Sequence, residues 1–136
     1  MNLKSIAFAF SFFLTLGVIA NAHPKDETTI YAFGYASCLG DTTCYISTIQ
    51  VLDSASVNSK TKMLGNRAEY AHQMEMALRK IDGKHYTCAL FFNTNKGKLE
   101  KKYLSIKKRC ERDGSLRLES LPEQDFQFAP ISSPHE

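Results

Sequence analysis

Four cysteines, at positions 38, 44, 88 and 110, and the histidines at 72 and 85 are the side chains with the most obvious capacity for chemistry. A thiol nucleophile needs a neighbouring base and a third group that orients the base. His72 and His85 offer the base, but no recognisable arrangement supplies the third partner. Zinc binding is no better served, because there is no C-x-x-C and the gaps of 5, 43 and 21 intervening residues match no common finger or knuckle. Phosphate-cradling glycine loops, the G-x-S-x-G elbow and H-E-x-x-H are absent from the sequence. The reading is therefore a protein without a catalytic centre, metal or cofactor. An even number of cysteines in an exported chain points instead to two disulfides, each worth roughly 2 to 4 kcal/mol through restriction of the unfolded chain.

Export is inferred from the first 22 residues. A basic start at Asn2 to Lys4 precedes the apolar run Ile6 to Ile19, and Ala20-Asn21-Ala22 is an A-x-A cleavage signal. The run is shorter than the roughly 18 apolar residues a membrane span requires, so residues 1–22 read as a secretory signal peptide. The mature chain then has no membrane span and is periplasmic or secreted. The full sequence has 136 residues and a net charge of +3, so the mature chain has room for one small domain with a thin core.

The elements expected to carry that core are helical. Tyr31, Tyr35, Cys38 and Leu39 recur at helical spacing between the capping residues Asp26 to Thr29 and the stop at Gly40. Asp41 to Leu52 repeats the pattern, although Ile46, Thr48, Ile49 and Val51 are β-branched and leave a strand open there. The clearest helix spans 60–81, with a stripe of Leu64, Arg67, Ala71, Met74, Leu78 and Ile81 that ends at Asp82-Gly83. Methionines 63, 74 and 76 read as filler for the core. Residues 86–92 fit either a strand or a short helix. Leu99, Tyr103, Ile106 and Cys110 are four, three and four apart, which makes 99–110 a helix and favours a helical hairpin. The expected fold is all-α, a small disulfide-braced bundle of four to five helices over residues 23–114. An extended segment and loose tail, 115–136, complete it.

Charge is the uneven feature. Lys84 to Arg112 holds nine basic and two acidic residues, whereas Asp113 to Glu136 holds five acids and one Arg. Lys98, Lys101 and Lys102 lie opposite the apolar stripe of the last helix, as a solvated face or as an electropositive patch that steers an acidic partner. Nucleic acid is a poor partner for an exported protein whose lysines are not interleaved with exposed aromatics. Two polar loops, 53–59 and 93–97, would flank the bundle.

The stretch Thr87-Cys88-Ala89-Leu90-Phe91-Phe92-Asn93-Thr94-Asn95-Lys96-Gly97-Lys98-Leu99, with Lys101-Lys102-Tyr103 after it, resembles the last-helix motif of the type VI secretion amidase immunity proteins. Tyr31, Phe33 and Tyr35 ahead of Cys38-Leu39 resemble their first helix. The resemblance implies a small periplasmic all-α protein, often a homodimer and not an enzyme, which inserts a loop into the cleft of a peptidoglycan-cleaving amidase. It implies a Cys38 to Cys88 disulfide, leaving Cys44 to pair with Cys110. The inhibitory contact would then fall on Asp53, Ser54, Ser56 and Asn58 of the first loop and on Lys98, Lys101 and Lys102. An exported envelope accessory or structural protein without inhibitory activity is the alternative.

Overall fold

The computed structural model describes residues 29–131. The signal peptide 1–22, the capping residues 26–28 and the last five residues of the tail lie outside them. The described chain is not a helical bundle. It runs β1 (Tyr31–Ser37), β2 (Thr43–Ser47), β3 (Gln50–Val51), α1 (Arg67–Asp82), β4 (Thr87–Asn93), α2 (Lys96–Arg112) and β5 (Arg117–Leu121), an α/β fold built on one mixed sheet. β4 pairs antiparallel with β1 along its whole length, and β2 pairs antiparallel with the second half of β1. β3 continues the line of β2 beside the first half of β1, and β5 pairs parallel with β2.

The helical reading of residues 30–39 fails for a physical reason visible in β1. Ala32, Gly34 and Ala36 alternate with Tyr31, Phe33 and Tyr35, so the strand has period two in side-chain volume and not in polarity. Both faces are buried, and a strand buried on both faces loses the apolar-polar alternation that marks a surface strand. Leu39, placed in the apolar stripe by helical spacing, is fully exposed in the β1–β2 turn, where Gly40 takes a φ of 81°. The small face of β1 receives α1 and the aromatic face receives α2. A Cβ on Gly34 would stand 2.3 Å from Met74 Sδ, which shows how closely α1 approaches.

The ambiguous stretch 86–92 is likewise a strand from Thr87, running on to Asn93. The helical period of 99–110 excludes a β-hairpin but leaves a strand followed by a helix, and that is what forms. α2 itself is as expected, burying Leu99, Ile106 and Cys110. The stripe of 60–81 is a helix only from Arg67. It buries Tyr70, Met74 and Leu78, while Leu64 pairs with Val57 in an isolated bridge and Ile81 is half-exposed. Gly83, at a φ of 75°, ends α1 by donating its amide to the Arg79 carbonyl at 2.8 Å.

The two helices sit on opposite faces because the chain crosses the sheet twice. β3 passes through α1 to the parallel β4, over β1. β4 then returns through α2 to the parallel β5. The crossings run in opposite directions, and crossovers of one hand then require opposite faces. Phe33, Ile46, Leu99, Ile106 and Cys110 make the core under α2. Ala36, Met74, Leu78, Tyr86, Leu121 and Phe126 make one under α1, with Ile30, Ala32, Leu52, Leu64, Tyr70 and Leu90 beside it. Burial of each large side chain contributes about 1.5 to 3 kcal/mol.

The chain beyond β5 is not loose over residues 124–131. Phe126 is buried and Phe128 packs edge-on against it and against Tyr70. Gln50 donates to the Phe126 carbonyl and accepts the Phe128 amide, at 3.1 and 2.9 Å. Gln73 holds both backbone groups of Ala129, at 3.0 and 2.8 Å. Two side-chain amides thus stand in for a neighbouring strand.

The expected disulfides are not present: Cys38, Cys44, Cys88 and Cys110 are free thiols. Cys38 and Cys88 pack, partly buried, against the core under α1, and the Cys88 thiol donates to Met74 Sδ at 3.2 Å. Cys110 lies under α2, with its thiol 3.9 Å from the Tyr35 hydroxyl. Cys44 and Cys110 act here as small apolar core residues and Cys38 and Cys88 are half-buried at the core's margin, while helix-on-sheet packing holds the frame that cross-links were expected to hold.

Candidate protein-binding surface

The first polar loop follows β3 directly. Its conformation is fixed by its own polar groups: Asn58 Oδ1 accepts the amides of Lys60 and Thr61, at 2.9 and 3.0 Å, and the Asn58 amide donates to the Met63 carbonyl at 2.9 Å. Ser56 accepts the Gly65 amide with its carbonyl at 2.9 Å. Among the described residues, the three non-glycine positions with positive φ are Ser54, in this loop, and Lys62 and Asn66, between it and α1. Backbone held in such sparsely populated regions costs of order 1 kcal/mol or more per residue and concentrates at functional segments.

Asp53, Ser54, Ser56 and Asn58 line one cavity of about 910 Å³, together with Val51, Lys62, Phe92 and Asn93. Val51 and Met63 expose half their surface at this end of the molecule. Asp53 also bears on α1. Burial above all, with a smaller contribution from the Asp53 charge, pushes the Tyr70 hydroxyl pKa up.

Lys98 and Lys102 line a second hollow of about 270 Å³ with Arg67, Phe91, Leu99 and again Phe92 and Asn93. The Lys102 ammonium lies 5.5 Å from the centre of the Phe91 ring, and the Arg67 guanidinium 5.5 Å from that of Phe92. Cation–π contacts of this kind orient a cation and leave its charge unneutralised. Among the described residues, none of Lys98, Lys101 and Lys102 is held in an ion pair. The first turn of α2 holds no acid, so Lys96 and Lys98 add to the positive end of the helix dipole. Asn95 caps that helix by accepting the Lys98 amide at 3.1 Å.

The structure therefore brings together most of the sequence-derived site and divides the rest. Phe92 and Asn93 belong to both hollows and join loop 53–59 to Lys98 and Lys102 as one surface. Lys101 points elsewhere, into an outward groove with Leu104, Ser105, Lys108, Arg109 and Arg112. No protein family, curated protein or solved structure matches the chain.

Sequence reasoning missed Arg67, Phe91, Phe92 and Lys62. Arg67 carried a signal, as the one polar member of an otherwise apolar stripe. Its guanidinium reaches across to the edge of the sheet and donates to the Leu90 carbonyl at 2.8 Å. Phe91 and Phe92 become legible only when 86–92 is read as a strand, since adjacent residues of a strand face opposite ways.

Among the described residues, the two histidines are engaged with groups other than a thiol. His85 lies 2.7 Å from the Arg79 guanidinium and His72 pairs with Glu75 at 3.5 Å. Burial, with Glu75 nearby, pushes the Cys88 thiol up to about 12, so it stays protonated and unreactive at neutral pH.

Proposed function

We propose that the exported chain is a binding protein with no chemistry of its own, which engages one acidic protein of the cell envelope and blocks it. The observation that supports this is the joining of loop 53–59 to the cations Lys98 and Lys102 through Phe92 and Asn93. A rigid loop beside unneutralised cations offers short-range complementarity and electrostatic steering on one surface. A periplasmic, peptidoglycan-cleaving amidase is the partner class that the resemblance of the segment 87–103 implies, although residues 87–93 of that segment form β4 and only the part from Lys96 is helical. Blocking a cleft by loop insertion needs only a preorganised segment, and the hydrogen bonds of Asn58 and Ser56 supply it.

The test is binding to, and inhibition of, a cell-wall amidase encoded beside this chain. Reversing Lys98 and Lys102 to Glu is expected to slow association and flatten its salt dependence. Reversing Lys101 should change either rate far less. Replacing 53–59 with Gly and Ser should raise the dissociation rate. Binding without loss of amidase activity favours the non-inhibitory envelope accessory protein, and failure to bind any such amidase removes the inhibitor reading.

A further inference from the structure

The two outer strands of the sheet are treated differently. On β4, the side chains of α1 reach over the edge: Arg67 occupies the Leu90 carbonyl and Glu75 accepts the Cys88 amide at 3.3 Å. Such guarding is a recognised defence against strand addition. β5 has no such guard among the described residues. Its Arg117 amide donates to the Thr42 carbonyl at 2.8 Å, so Arg117, Glu119 and Leu121 turn their backbone groups towards β2. The amides and carbonyls of Leu118 and Ser120 then point outward. The side chains of Arg117 and Glu119 lie on one face, 2.7 Å apart, with the arginine largely exposed.

We propose that the outer edge of β5 pairs antiparallel with β5 of a second copy, across a two-fold axis at Leu118. In that register Leu118 exchanges reciprocal backbone bonds with its counterpart. Arg117 of each chain then stands opposite Glu119 of the other, at the close, non-hydrogen-bonded positions of an antiparallel ladder, about 4.5 Å apart at Cα. Shifting the axis to Glu119 sets the two glutamates directly opposite each other, which like-charge repulsion disfavours. The edge is therefore self-complementary in one register, the requirement for a two-fold interface. Two five-stranded sheets would join into one continuous sheet, leaving the 53–59 loop and Lys98 outside the contact line. The site proposed above does not depend on this pairing.

Sedimentation of the purified chain up to about 100 µM should show a reversible dimer, weak because a five-residue edge buries less than a standard interface. R117E and E119R should each be monomeric at that concentration. Mixed together they should form a heterodimer by native mass spectrometry, since the mixed pairing restores both opposite-charge contacts across the axis. The intrachain bridge stays broken in both variants, so its loss cannot account for the rescue. Ser120→Pro removes only an outward amide and should abolish the dimer without moving the melting temperature. A wild-type chain that stays monomeric, a dimer indifferent to S120P, or a mixture that fails to recover dimer each overturns the proposal.

Discussion

Ser47 Oγ accepts the backbone amide of Gly34 at 2.8 Å, at the point where β1 passes from one antiparallel partner to the other. β2 ends at Ser47 and β3 starts at Gln50, so the ladder has a gap opposite Gly34. Ser47 is wholly buried and fills that gap with its side chain. Its own hydroxyl proton goes to the Thr48 carbonyl at 3.1 Å.

Ser47→Ala therefore leaves a buried amide without a partner. The expected loss is about 1 to 3 kcal/mol of folding stability, read as a lower urea midpoint at unchanged slope. A change below a few tenths would mean that water reaches the gap.

Gly34→Ala should destabilise by roughly 1 to 3 kcal/mol through overpacking against Met74. Shortening Met74 in the same chain should return part of that loss. A double-mutant cycle measures it, and strict additivity would show that α1 does not approach the strand as described.

Removing the two amide clamps should free the end of the chain without unfolding the domain. Gln50→Leu and Gln73→Leu are each expected to cost about 0.5 to 1.5 kcal/mol. Hydrogen exchange should quicken at the amides of Phe128 and Ala129 while β1 stays protected.

Alkaline pH should weaken the fold through Cys88. Its folded value of about 12 lies above the ordinary 9.0, so the neutral thiol favours the native state. That contribution is whole below pH 9 and declines as pH rises from 9 towards 12, because the unfolded chain ionises first. Burial raises Tyr35 and Tyr86 as well, and both act in the same direction. Cys88→Ala should flatten the decline in a pH series of melts, and the native Cys88 should resist iodoacetamide at pH 8 while the unfolded chain reacts.

Sequence alone determined the parts of this protein that rest on local patterns. The apolar spacing of 99–110 marked α2, the run Tyr70 to Leu78 fell within the marked helix, and Asp82-Gly83 marked its end, because helical period and the left-handed glycine cap are properties of a few consecutive residues. It also marked the polar loop and the run of cations. The tertiary structure decided everything that depends on which faces are covered. β1 reads as a helix until α1 and α2 bury its two sides, since a strand covered on both faces has no polar half to betray its period. Residues 87–93 became a strand only by pairing with Tyr31 to Ser37, fifty or more residues back. The cysteines looked like cross-links by count and compartment, whereas their state as free thiols, two buried and two half-buried, follows from where the folded sheet places each one. The joining of Asp53 to Asn58 with Lys98 and Lys102, and the separation of Lys101 from them, follows from Phe92 and Asn93 lying at the end of β4 and Lys98 in the first turn of α2. No spacing along the chain encodes that neighbourhood.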